Sequence, residues 1–255
     1  MTERGAHSLR RGVDFLQIGP SALLWRDDAL VISLRETGFP WPVRIRGEIR
    51  LHPSSLPGCS WPLDGAAKHW WTPLAPLARV EVDLDSPRQR WSGAGYLDSN
   101  AGEEPLEQGF DGWHWSRTGL RRNTAVLYDV MRRDGSRLAL ALDFDASGRV
   151  EPFSPPPLRS LGRSAWRLHR YTRCEPAGTA HITHRLLDTP FYARSMITTQ
   201  LQGQPVRGIH ESLSLQRFSS PLIQVMLPFR MPRRTRPDDL LAREVDDRGA
   251  APRVP

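Results

Sequence analysis

Apolar positions come in short runs broken by turn residues, and the spacing inside the runs is that of extended chain. Val80, Val82 and Leu84 alternate with Glu81, Asp83 and Asp85, which gives a segment with one apolar and one wet face. Residues 124–131 and 137–144 are β-rich runs separated by Arg132-Arg133-Asp134-Gly135-Ser136, and Asp-Gly at that place is a hairpin signal. A turn at Ala146-Ser147-Gly148 leads into Arg149-Val150 and extends the meander. Residues 196–201 and 206–215, joined by Gln202-Gly203-Gln204-Pro205, predict a second hairpin. Long patterns of period 3.6 are missing. One helical piece is predicted mid-chain, residues 103–110, with Pro105 near the first turn, where proline is tolerated. The pattern predicts an all-β protein.

The chain has 255 residues, enough for one or two domains with a real core, and carries 23 Pro and 20 Gly as punctuation. Consecutive prolines in Phe153-Ser154-Pro155-Pro156-Pro157 predict a stiff linker. The expected organisation is a first domain over residues 1–152 that bears the active site, a linker over 153–158, a second domain over 159–232, and a loose charged tail over 233–255. The longest apolar runs, 138–142 and 225–229, are strand-sized, and the start lacks the apolar stretch of a signal peptide. The expectation is a soluble, cytosol-side protein. Cys59 and Cys174 are too few for a cysteine-built zinc or iron–sulfur site.

The formal net charge is +7, and Lys68 is the only lysine. The arginines are scattered and do not interleave with aromatics as a single-strand platform requires, so nucleic acid is not an expected partner. A basic surface is compatible with anionic headgroups; Arg233, Arg234 and Arg236 form the densest cluster.

Eight of nine tryptophans fall within the first half of the chain, and six of them, Trp61, Trp70, Trp71, Trp91, Trp113 and Trp115, cluster there. Two short segments add polar groups to them. In Lys68-His69-Trp70-Trp71, His69 and Trp71 share a strand face; in Gly95-Tyr96-Leu97-Asp98, Tyr96 and Asp98 do. Two strands of this kind present His, Trp, Tyr and Asp to one cavity, with Trp70, Trp91, Trp113 and Trp115 as candidate pocket walls. The set suits acid chemistry on an apolar substrate: a carboxyl in an apolar wall holds its proton, and aromatic faces stabilise a cation. The competing reading is a hydrogen-bonded turn for Asp98 and a satisfied core histidine for His69. Gly93-Ala94-Gly95 lacks the third glycine and the helix of a dinucleotide loop, and no metal site is expected.

The run from Trp91 through Gly93-Ala94-Gly95-Tyr96-Leu97-Asp98-Ser99-Asn100 to Glu107, continuing to Trp113-His114-Trp115-Ser116-Arg117, resembles the carotenoid 1,2-hydratases, also called hydroxyneurosporene synthases, of photosynthetic bacteria. Further matches are Val43 to Arg50, Tyr128-Asp129, Arg133-Asp134-Gly135, Asp188 to Arg194, His210-Glu211 and Met231 to Arg234. The resemblance implies two lipocalin-like antiparallel β-barrel or sandwich units. It also implies addition of water to the terminal C1=C2 bond of acyclic carotenoids such as neurosporene and lycopene, without cofactor. The family's functional histidine, tryptophan, tyrosine and aspartate match His69, Trp71, Tyr96 and Asp98. Asp98 is then the acid, Trp71 and Tyr96 face the cation, and His69 orients water, takes its proton or keeps Asp98 protonated. A polyene substrate implies peripheral contact with the photosynthetic inner membrane. Relatives usually carry a segment before the equivalent of Thr2-Glu3-Arg4-Gly5, so an uncovered sheet edge is expected in the first unit. The rival readings are a carotenoid or lipid carrier, and another polyene cation or cyclisation enzyme on the same fold.

Overall fold

A computed structural model describes residues 4–38 and 42–226. The expected tail over 233–255, with its arginine cluster, lies outside the described residues. Strands dominate, as the period-2 patterning predicts. They are β1 (Leu9–Arg11), β2 (Phe15–Ile18), β3 (Ser21–Arg26), β4 (Ala29–Thr37), β5 (Arg44–Pro53), β6 (Trp61–Pro62), β7 (His69–Ser86) and β8 (Arg88–Gly102). After the short helix α1 (Leu106–Gly109) come β9 (Phe110–Gly119), β10 (Thr124–Arg132), β11 (Arg137–Phe144), β12 (Val150–Pro152), β13 (Leu158–Arg163) and β14 (His169–Arg173). The chain continues through β15 (His181–Asp188), β16 (Tyr192–Leu201), β17 (Gln204–Ser214), α2 (Leu215–Phe218) and α3 (Pro221–Met226).

The chain divides into two units, but not at the proline tract. Among the described residues, one unit holds those up to 53 together with 78–95; the other holds 54–77 and 96–226. In the first unit β1 to β5 form an antiparallel meander, and the second half of β7 pairs with β5, Ile49 opposite Val82. In the second unit seven strands order as β12-β11-β10-β9-β17-β16-β15. This sheet joins strands from both sides of the 153–158 segment, because β9 pairs with β17, Trp115 opposite Glu211. The proline tract is therefore a connection inside one unit, not a boundary between two. The sheet is open at β12 and β15 and does not close on itself, so the sandwich form of the lipocalin-like expectation fits and the closed barrel does not.

Both predicted hairpins are present. Met131 pairs with Arg137 around Gly135, whose φ is 83°. Leu201 pairs with Gln204 around Gln202 and Gly203, both at positive φ (51° and 71°); two such residues match the right-handed twist of the strands. The predicted 103–110 helix contracts to one turn, with Pro105 just before it.

The second unit's core forms where β6 and the first half of β7 meet the large sheet. Leu63 and Trp71 pack with Val126, Tyr128, Val130, Leu142 and Phe144. Trp61 meets Phe144 edge-on with centroids 6.2 Å apart, and Trp71 meets Tyr128 the same way at 5.5 Å. Burying side chains of this size stabilises by about 1.5–3 kcal/mol each. The same ring packing fixes the direction of Trp71, whose polar edge faces the site.

Candidate active site

β7 runs with His69 and Trp71 buried and Trp70 turned outward, the alternation expected of a strand. Trp71 is fully buried, yet its indole N–H needs a partner. It donates to Asp98 Oδ2 over 2.8 Å. On β8, Tyr96 lies two residues before Asp98 and its hydroxyl donates to the same oxygen at 3.0 Å. Two of the four candidate residues thus converge on one carboxyl oxygen of a third. Both donors use Oδ2, which leaves Oδ1 clear of them. Burial pushes the Tyr96 phenol far up, and the Asp98 charge and the hydrogen bond push it further, so this hydroxyl stays a donor.

His69 goes elsewhere. Its Nδ1 lies 2.8 Å from Asp64 Oδ2, and its Nε2 lies 3.1 Å from the Glu104 carbonyl oxygen. Both neighbours are acceptors, so both ring nitrogens are engaged away from Asp98. The Asp64 carboxylate also accepts from the backbone N–H groups of Ala66, Lys68 and His69. Burial alone would raise this carboxyl; the Lys68 and His69 hydrogen bonds outweigh it and hold Asp64 below the usual range. A Cβ on Gly102 would lie 2.6 Å from the His69 ring and one on Gly109 would lie 3.1 Å from it, so two glycines are needed for the ring to sit here. His69 is clamped between the turn before β7 and the segment after β8, and orients the strand that carries Trp71.

Asp98 opens onto a cleft of about 260 Å³ lined by Tyr96, Trp113, Trp115, Tyr128, Arg194 and Glu211 among others. Trp113 and Trp115 are two apart on β9, and Tyr96 lies 5.1 Å from Trp115 by ring centroids. The Arg117 guanidinium sits 5.6 Å from the Tyr96 ring centre. Of the other candidate walls, Trp70 is 39% exposed and bonds the Ala67 carbonyl, and Trp91 is 52% exposed and belongs to the first unit. Tyr128, Arg194 and Glu211 were not among the sequence candidates. Glu211 carried a legible signal: it stands between Ile209 and Leu213, two core-packing residues on its face of β17.

A larger cleft of about 400 Å³ lies beside His114, Asp129, Tyr171 and Arg173. His114 on β9 and Asp129 on β10 point to the opposite face of the sheet from Trp113, Trp115 and Tyr128. Asp129 is fully engaged by a two-pronged pairing with Arg173. Among the described residues no group of three or more His, Cys, Asp or Glu is arranged to hold a metal ion, and no helix is long and apolar enough to cross a membrane.

The carotenoid hydratase CrtC family pattern matches residues 1–239. An acyclic carotenoid 1,2-hydratase from Thiocapsa roseopersicina is 52% identical over 234 residues, which cover 91% of this chain and 58% of that one. The Rhodobacter capsulatus enzyme of the same name is 41% identical over 92% of this chain and 84% of its own length. The chain therefore spans less than two thirds of the first relative. A crystal structure of an AttH protein from Nitrosomonas europaea superposes with a TM-score of 0.56 at 20% identity, over 82% of this chain and 72% of that one, which agrees with the lipocalin-like fold. With a matching pattern over nearly the whole described chain and close relatives of one name, this chain belongs to the carotenoid hydratase CrtC family.

Proposed function

We propose that the protein is a carotenoid 1,2-hydratase, a hydro-lyase that adds water to the terminal C1=C2 bond of an acyclic carotenoid such as neurosporene or lycopene. The observation that carries this reading is the single Asp98 oxygen that accepts from both Trp71 and Tyr96 beside an aromatic-walled cleft. A trisubstituted alkene is a weak base, so its protonation needs a positioned acid and not bulk water. Asp98 Oδ1–H delivers the proton to C2, and the tertiary cation forms at C1. The rings of Tyr96, Trp113 and Trp115 face that charge. Trp71 and Tyr96 stabilise the carboxylate left behind through two hydrogen bonds that already exist before the reaction. Water then adds at C1 to give a tertiary alcohol. The cleft volume suits the end of a chain, not a whole polyene.

His69 acts in this reading as a positioning residue, because Asp64 and Glu104 engage both of its nitrogens. A water-insoluble substrate has to arrive from a bilayer, so we place the protein peripherally on the cytoplasmic face of the membrane. Trp70 and Leu74, 39% and 37% exposed on the outward face of β7, support such contact.

Asp98→Asn tests the reading, with pigment binding and product scored together. A hydratase loses the hydroxylated product and keeps binding. A carrier keeps binding and never had product to lose, and hydration at the wild-type rate contradicts Asp98 as the acid.

A further inference from the structure

Hydration has a second proton to move, and Asp98 is poorly placed to move it. Once Asp98 has protonated C2, its Oδ2 is filled by Trp71 and Tyr96, and its Oδ1 faces the carbon it has just protonated. The water that attacks C1 needs another base.

Glu211 lines the same cleft as Asp98. It stands on the inward face of β17 between Ile209 and Leu213, paired across the sheet with Arg194 on β16 and Trp115 on β9. Packing alone does not place a carboxylate in an apolar row. Arg194 Nε lies 3.2 Å from Glu211 Oε1, with the arginine side chain 48% exposed and the glutamate 22%. That arrangement pairs the carboxyl with a guanidinium that still reaches solvent. Burial raises the Glu211 carboxyl, Arg194 and the Tyr192 hydroxyl pull it back, and the Asp98 charge raises it again. Tyr128, almost fully buried in the same wall, feels both Asp98 and Glu211. A carboxyl that lines the cleft beside Asp98 and is made more basic by its surroundings is suited to accept a proton.

We propose that Glu211 is a second catalytic residue, the base that takes the proton from the attacking water; this rests on the hydratase reading of the site. The Asp98 O–H bond breaks and a C2–H bond forms from the π pair, leaving the charge at C1. A water oxygen bonds C1 while one of its O–H bonds breaks, and that proton goes to Glu211. One water has been added. Transfer of the proton from Glu211 through solvent to Asp98 resets the site.

The test is Glu211→Gln with lycopene in liposomes, in water carrying both heavy oxygen and deuterium. Protonation by Asp98 continues in this variant, but capture by water does not. The expected result is a fall in hydration of about 100-fold or more, the usual scale for loss of a general base, while deuterium enters the recovered lycopene at C2 as the cation reverts. Glu211→Asp, which keeps a carboxylate on a shorter arm, hydrates faster than Glu211→Gln. Three results overturn the assignment: near-wild-type hydration by Glu211→Gln, loss of deuterium exchange along with hydration in a folded variant, or equal hydration by the Asp and Gln variants. A wild-type chain that neither hydrates nor exchanges overturns the hydratase reading, and this assignment with it.

Discussion

The indole N–H of Trp71 and the carboxyl of Asp98 meet at 2.8 Å, although they are 27 residues apart and lie on different strands. The contact ties a fully buried ring of the core to the carboxyl that opens onto the cleft. Trp71→Phe keeps an aromatic ring and removes the donor. A hydrogen bond to a charged group contributes about 1.5–3 kcal/mol, so a loss of roughly 10- to 100-fold in kcat is expected. Tyr96→Phe removes the other donor with less change in volume and isolates the hydrogen-bond effect; its melting temperature stays near wild type while kcat falls. Unchanged turnover in Tyr96→Phe would contradict the role given to Oδ2.

His69 and Asp64 form the second tie, which predicts strong coupling between them. Removing one side of this hydrogen bond leaves a buried polar atom of the other unsatisfied, which costs about 1–3 kcal/mol. His69→Gln and Asp64→Asn each lower stability and activity, and the double variant loses less than the sum. Denaturant unfolding of the four chains measures this. If His69→Gln abolishes hydration with stability unchanged, His69 belongs to the chemistry and not to the scaffold.

Much of this site was legible because a strand has a period of two. That period put His69 and Trp71 on one face and Tyr96 and Asp98 on another, and Asp134-Gly135 marked its hairpin for a local steric reason. The partner of His69 was not legible: Asp64 lies in an irregular turn with no period to read. The proline tract misled because its local stiffness is real, while the β9–β17 pairing that makes both flanks one sheet spans about a hundred residues and leaves no local trace. Glu211 is legible as the one acidic position in the alternating row Ile209, Glu211, Leu213, but its nearness to Asp98 depends on strand pairing that leaves no local trace.

The histidines on the opposite face of the large sheet predict sensitivity to acid. Burial, followed by the charges of His210, Arg137 and His169, pulls His114 down to about 3. Burial, with Arg170 adding and the Tyr171 carbonyl opposing, pulls His210 down to about 4. Unfolding returns both to about 6.5. Between those values the unfolded chain binds more protons, so stability is complete above about pH 6.5 and is lost as pH falls toward 4. Each group contributes a slope of up to about 1.4 kcal/mol per pH unit. Urea midpoints measured from pH 4.5 to 7.5 should rise with pH, and His210→Gln should flatten the curve; a flat wild-type curve would contradict the assignment.

Asp129 and Arg173 join β10 to β14 through a pairing in which both side chains are largely buried (13% and 16% exposed). Asp129→Asn leaves the arginine charge uncompensated, and destabilisation of about 3–5 kcal/mol is expected. The Asp98 cleft lies on the other face of β10, so residual activity below the new melting temperature should stay near wild type. A large loss of turnover in folded protein would show that this pair supports the site directly.

The fate of solvent oxygen separates hydration from pigment carriage. Purified protein incubated with lycopene in liposomes, in heavy-oxygen water, is followed by mass spectrometry of the extracted pigment. The expected product is a hydroxylated carotenoid bearing the heavy label on the tertiary carbon. Pigment that is bound and recovered unchanged, or a hydroxyl without solvent label, would contradict the hydratase reading.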